Sequence, residues 1–168
     1  ARHRRDGFAL TDSGGTVANA VDQARYCLIC HKQGKDSCSH GLPARDTPTN
    51  ATKSGCPLDE RISEFHQLKL DARPIGALAM IVLDNPMVAA TGHRICNDCM
   101  KSCSQQHQTP VDIPKAETQV LRDVLALPWG FEIYALLVRW NPLNLSHWKP
   151  RESSARKVLV VGAGPAGF

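Results

Sequence analysis

The side chains that could do chemistry in this chain are its seven cysteines, which fall as Cys27-x2-Cys30-x7-Cys38-x17-Cys56 and then Cys96-x2-Cys99-x3-Cys103. A CxxC pair offers two thiolates from one turn of chain, either to neighbouring irons of a cluster or to a tetrahedral zinc. Pro57 follows Cys56, a pairing that in two-cluster ferredoxins marks a ligand of the other cluster. Two [4Fe–4S] clusters need about eight ligands, so seven thiolates plus one further side chain come close. The same set suits two zinc sites, one all-thiolate and one completed by an imidazole from His31, His40, His66, His93 or His107. Unligated thiols acting as small apolar residues are a third reading, and a thiol–disulfide sensor is a fourth. The sensor would need thiolates of lowered pKa near bases such as Arg25, Lys32 or Lys101. A helix through Cys96, Cys99 and Cys103 would place all three on one face.

A second motif closes the sequence. Lys157-Val158-Leu159-Val160-Val161 is a β-branched run of the kind that forms buried parallel strands, and Gly162-x-Gly164-x2-Gly167 follows it directly. Strand, then glycine turn, is the context in which this spacing binds a dinucleotide, with the pyrophosphate on the backbone and on the next helix's N-terminus. The acidic residue expected about 20 positions later lies beyond Phe168. A lone strand cannot bury both faces, so the reading is a fragment of a longer flavoprotein that binds no dinucleotide tightly by itself. The histidines are scattered, and no residue set suggests acid–base or nucleophilic catalysis.

The elements that must carry the cysteines are helical by pattern. Val17 to Arg25 is a short amphipathic stretch leading into Tyr26-Cys27, behind an N-terminus expected to be mobile. Residues 39–55, rich in Pro and Gly, read as an exposed loop. Pro57, Asp59 and Glu60 suit a helix start, and Leu58, Ile62 and Phe65 recur at helical spacing, which predicts a helix from about Pro57 to Leu70. Pro74 opens a second helix that ends before Pro86, giving a hairpin. Pro114 opens another, interrupted by Pro128. Trp129 to Trp140 is apolar nearly throughout and is either core against the other helices or a docking surface for another domain. If it docks, the isolated fragment should aggregate.

At 168 residues, 42% hydrophobic and 21% charged, the chain has room for one helical or mixed domain. Its 20 basic and 16 acidic residues are dispersed and only 5% of residues are aromatic, which argues against nucleic-acid binding. No apolar run of membrane length occurs, and Ala1-Arg2-His3-Arg4-Arg5-Asp6 precedes no signal-peptide core, so no membrane partner and a cytoplasmic location are expected. An odd cysteine count arranged in CxxC pairs fits a reducing compartment better than a disulfide scaffold does.

Taken together, Cys27-x2-Cys30, Gly55-Cys56-Pro57-Leu58, Asn85-Pro86, Thr91-Gly92-His93-Arg94-Ile95-Cys96, Pro110-Val111-Asp112-Ile113 and the terminal VLVVGAGPAG resemble one family. It is the family of the glutamate synthase small subunit and the N-terminal region of dihydropyrimidine dehydrogenase, and the likeness covers about Tyr26 to Phe168. The resemblance implies a mainly α fold: an α-helical ferredoxin-like domain with two clusters, ending in the first β-strand and Gly-rich turn of a Rossmann-like FAD-binding domain. The implied organisation is an N-terminal extension (1–25), the iron–sulfur domain (26–150), and a linker with the start of the FAD/NAD(P)-binding domain (151–168).

By the same resemblance, Cys27, Cys30, Cys38 and Cys103 would hold one cluster. Cys56, Cys96 and Cys99 would supply three ligands of the other, with Glu117 as the fourth and Gln119 as its alternative. Gly162, Gly164 and Gly167 would contact FAD. Electrons would pass from NAD(P)H through FAD and the clusters to another domain or a partner oxidoreductase subunit, and the fragment alone would be inactive. The chain departs from the family's usual pattern in its long Cys38–Cys56 loop, in Asn97 where Pro is usual, and in the tighter Cys96–Cys99 spacing.

Overall fold

The computed structural model describes Gly7, Asp12 and residues 14–144 and 154–162. Residues 1–6, 8–11 and 13 of the expected N-terminal extension, residues 145–153 of the linker region, and Gly164 and Gly167 of the glycine motif lie outside the described residues.

Local signals start the longer helices. Thr16 caps α1 (Val17–Tyr26) by accepting from the Asn19 N–H at 3.2 Å, while the Asn19 side chain accepts from the Thr16 N–H, a reciprocal box that satisfies two otherwise orphan donors. Pro74 opens α4 (Pro74–Asp84), and Asp112 caps α7 (Ile113–Leu125), whose second residue is Pro114. Between them come α2 (Ser37–His40), α3 (Ile62–Leu70), α5 (Val88–Thr91) and α6 (Asp98–Lys101), and α8 (Gly130–Arg139) follows.

The apolar stripe of α7, Ala116, Val120 and Val124, recurs every four residues and is fully buried. It packs on α1, α3, α4 and α8. From the α3–α4 hairpin come Ile62, Phe65, Leu78 and Ile81, which complete the core. A buried Lys69–Asp123 ion pair ties α3 to α7. Ala20 and Ala24 of α1 are buried in the same body.

The fold is mainly helical, as expected, and among the described residues strand pairing is limited to one bridge between Leu42 and Lys53. Among the described residues, 157–161 have no pairing partner and stand in solvent, Leu159 86% and Val161 89% exposed. A strand exists through ladder bonds to a neighbour, and the described residues present none to that run.

Three local expectations need correction. The helix expected from Pro57 begins only at Ile62, because residues 57–61 turn back around Cys56 with Asp59 in the left-handed region (φ +50°). The loop of residues 39–55 is not simply exposed: Ser39 and Thr47 are buried, and the loop is pinched at its base. There Leu42 and Lys53 exchange backbone hydrogen bonds of 2.8 and 2.9 Å, and the Cys56 N–H donates to the Cys38 carbonyl at 2.8 Å. Gly41 and Gly55 make that neck possible. Both have positive φ, and a Cβ on Gly55 would lie 2.3 Å from the Ser39 carbonyl oxygen. The long insertion is thus thrown outward while its ends, Cys38 and Cys56, stay adjacent.

The third correction concerns α8. It is core on one side only: Leu137 is buried with Ile133 and Tyr134 packed against the core, while Trp129 and Phe131 are 74% and 70% exposed.

Candidate metal centres

The thiols sort into two groups. Cys27 ends α1, Cys30 opens the 3-10 turn Cys30–Gln33, Cys38 lies in α2, and Cys103 follows α6. The Cys27 thiol is pushed up to about 11, first by burial, with Cys30, Cys103 and Asp36 adding to it while the Ile29 backbone N–H opposes. Cys38 is raised further, again by burial first and then by Asp36, Cys30, Cys27 and Cys103. These four sulfurs therefore share one neighbourhood.

Polar groups reach the sulfurs of this first group. The Ser104 hydroxyl donates to Cys30 Sγ at 3.7 Å and meets Ser37 Oγ at 3.2 Å. The Gln105 N–H donates to Cys103 Sγ at 3.5 Å.

The second group comprises Cys56, Cys99 and Cys96. Burial raises the Cys99 thiol first, and Cys56, Glu60, Cys96 and Glu117 then raise it further. Cys56 is raised by burial, while the backbone N–H groups of Glu60 and Leu58, carried by the turn around it, oppose the rise. Cys99 is buried, Cys56 half-buried and Cys96 exposed. Glu117 belongs here: it lies on α7, accepts from Asn85 Nδ2 at 2.8 Å, and burial pushes its carboxyl above the usual carboxylate range. Gln119 points elsewhere, donating to Asp123 Oδ1 at 3.0 Å.

Cys96, Cys99 and Cys103 do not line one helix face. α6 is a single turn, Asp98–Lys101, with Cys96 before it and Cys103 after it, and the segment sends Cys99 to the second group and Cys103 to the first. The groups therefore interleave along the chain, with Cys38 beside Cys56 across the neck and the buried Ser102 hydroxyl accepting from the Gly55 N–H at 3.1 Å.

The chemistry of the donors can be tested against each reading. A buried thiolate without a counter-cation is costly. For Cys27, Cys38, Cys56 and Cys99 every influence beyond backbone N–H groups is burial or an acidic neighbour, so these side chains stay neutral thiols unless a bound cation compensates the thiolate. The sensor reading needs lowered thiol pKa values and meets raised ones at these four. All seven cysteines are free thiols. Among the described residues no three His, Cys, Asp or Glu side chains are close enough to hold a single metal ion. A tetrahedral zinc would need sulfurs about 3.8 Å apart, given Zn–S bonds of about 2.3 Å. A cluster spreads its outer donors over several irons and so accepts a wider arrangement.

Sequence reasoning missed Asp36, Glu60, Asn85 and Ser104. Glu60 sits four residues after Cys56 and reads as a helix-start charge. Its signal, an acidic residue in a turn tied to a cysteine, is visible only once the turn is known to be buried. Gly162 has positive φ (+113°) and open space around it, while the other two glycines of the motif lie outside the described residues.

No family model matches the chain. It is 58% identical over 82 residues to "Uncharacterized protein RP006" of Rickettsia prowazekii, covering 49% of this chain and 12% of that protein. It is 34% identical over 80 residues to "Uncharacterized protein RP005" of the same organism, covering 40% and 27%. It is 29% identical over 129 residues to "Putative oxidoreductase YgfK" of Escherichia coli, covering 76% of this chain and 11% of that protein. The chain thus spans less than a third of each of these curated relatives.

Proposed function

We propose that this chain is the electron-transfer iron–sulfur domain of an FAD-dependent NAD(P)H oxidoreductase similar to the glutamate synthase small subunit. The observation that carries the reading is the division of the seven thiols into two interleaved groups, with the buried Glu117 carboxyl beside the second. The similarity to a protein named as an oxidoreductase, over 76% of this chain, supports it.

Cys27, Cys30, Cys38 and Cys103 would hold one [4Fe–4S] cluster, and Cys56, Cys96, Cys99 and Glu117 the other. Clusters of this kind supply one-electron carriers whose potentials follow hydrogen bonding to sulfur and solvent exposure. The chain's own residues set both. α3, α4 and α7 keep water from the buried sulfurs, the Ser104 hydroxyl and the Gln105 N–H donate to the first group, and the turn at Leu58–Glu60 donates to Cys56. Gly162, Gly164 and Gly167 would begin the FAD site of the adjoining domain, and NAD(P)H would reduce that flavin. Where FAD and NAD(P)H domains follow, the exposed face of α8 gives them a surface to cover.

The test is metal analysis of protein purified without oxygen. Iron and sulfide near about eight each per chain are expected. Zinc without sulfide overturns the electron-transfer reading in favour of a zinc-stabilised helical interaction module.

A further inference from the structure

The long loop between Cys38 and Cys56 walls two hollows together with the segment around Cys103. The first, of about 300 Å³, lies between Pro48 and Lys53 of the loop and Met100, Gln106 and Pro110. The second, of about 470 Å³, takes in Lys35, Arg45, Asp46, Ser104 and His107. Gln106 lines both, so the two hollows form one cleft with Gln106 at its middle.

Hydrogen-bond donors face this cleft without acceptors. The Gln106 Nε2 is buried and has no partner. Lys53 is half-buried and Lys35 exposed, and among the described residues neither has a carboxylate partner. The cleft's other two cations are already paired, Lys101 with Asp98 at 2.7 Å and Arg45 with Asp46 at 3.8 Å. His107 is also engaged, its Nε2 lying 3.3 Å from the Asp46 carbonyl oxygen. A buried amide N–H is seldom left unpaired, and the half-buried ammonium that lines the same hollow gives the missing acceptor its sign, which is negative.

The walls restrict what carries that charge. Leu42, Pro43, Pro48, Met100 and Pro110 are apolar, and no Phe, Tyr or Trp lines either hollow, so a nucleotide base has nothing to stack on. Carboxylates spaced along a peptide, with apolar side chains between them, match both the free donors and the walls.

We propose that this cleft receives an acidic segment of a partner protein, one carboxylate meeting Lys53 and Gln106 and another meeting Lys35. The inference stands apart from the electron-transfer reading, since it calls on no metal. It brings the partner against the first thiol group, because Ser104 lines the larger hollow and its hydroxyl reaches Cys30 Sγ at 3.7 Å.

The experiment measures fluorescence anisotropy of a short fluorescein-labelled peptide in which Glu and Leu alternate, titrated with the full chain. Saturable binding is expected, and raising NaCl from about 0.05 to about 0.5 M should weaken it roughly tenfold. Lys53→Gln should weaken it roughly tenfold and Lys35→Gln roughly threefold. Gln106→Met keeps the side chain's size, removes the donor and should weaken binding roughly fivefold, with helicity by circular dichroism and the urea midpoint reporting that the fold is kept. Arg139→Gln, an exposed cation of α8 that lines neither hollow, should leave binding unchanged.

Absence of saturable binding overturns the inference, as does equal binding of a peptide with Gln in place of Glu, which would mark an apolar site. Arg139→Gln weakening binding as much as Lys53→Gln overturns it too, since overall charge would then be the cause. Inorganic pyrophosphate that displaces the peptide at lower concentration than unlabelled peptide does would make the cleft a phosphate site instead. None of these outcomes alters the iron and sulfide count that tests the electron-transfer reading.

Discussion

Around Cys27, Cys30, Cys38 and Cys103 the fold supplies four sulfurs, three of them buried, with hydroxyl and backbone donors aimed at Cys30 and Cys103. Around Cys56, Cys96 and Cys99 it supplies three sulfurs, one of them exposed, and two buried carboxyl groups, Glu60 and Glu117. Chemically alike residues have thus been placed in unlike surroundings. The first group is enclosed and uniformly soft, whereas the second mixes soft and hard donors and reaches the surface at Cys96. Two carriers differing in this way would differ in potential and in stability towards loss of iron, which gives a transfer chain a direction.

The largest effect should come from Cys38→Ser. On the two-cluster reading it removes a buried ligand of the first group and should cost about four of eight irons while leaving the second centre's spectrum in place. Loss of both centres together would show that the groups are one cooperative unit, and iron analysis with Mössbauer spectroscopy decides between these outcomes.

Gly55→Ala should act on both groups at once. The new Cβ would meet the Ser39 carbonyl oxygen at 2.3 Å and the Gly41 nitrogen at 2.5 Å, at a φ of +77°. A cost of about 3 kcal/mol in denaturant unfolding is expected, since backbone rather than a flexible side chain stands in the way. Gly34→Ala is the control: Gly34 also has positive φ, but a Cβ there would meet nothing within 4 Å, so it should cost about 1 kcal/mol.

His66 offers a probe remote from the comparison. It is fully buried on α3, edge-on to Phe65, neither ring nitrogen has a hydrogen-bond partner, and burial lowers its pKa from 6.5 to about 3. In the unfolded chain the imidazole takes a proton below its ordinary pKa, while the folded form refuses it until about pH 3. Its contribution to stability is therefore present above pH 6.5 and is lost as pH falls towards 3, by about 1.4 kcal/mol per unit. Urea melts across that range should show the slope, and His66→Leu should flatten it.

The smallest expected effect is the most selective. Ser104→Ala removes a hydrogen bond of 3.7 Å to Cys30 Sγ, and should lower the first centre's potential by on the order of 30 mV without moving the second. Equal shifts at both centres in a redox titration would contradict the separation described above.

Much of the helical frame was legible because its causes are local. Pro74 and Pro114 start helices by their fixed φ, and four-residue apolar spacing in α7 marks its buried face. The helix expected at Pro57 failed for a non-local reason: Cys56 draws residues 57–61 into a turn, and tertiary placement overrides a good start signal. The apolar run from Trp129 was legible as core or as a docking surface but the two were not separable, since periodicity reports that a face is apolar and not what covers it.

The sequence by itself determined the inventory of this protein: seven thiols in CxxC-centred spacings, mainly helical elements, and a glycine motif after a β-branched run. These follow from residue type and from neighbours within a few positions. Spacing alone left the grouping of the sulfurs open, and the tertiary structure decided it: Cys99 parts from Cys103 within a few residues, while the pinched neck of a long loop sets the two groups side by side at Cys38 and Cys56. It alone brought Glu60 of a cysteine turn against Glu117 of α7, since burial and charge are properties of a place that distant segments build together.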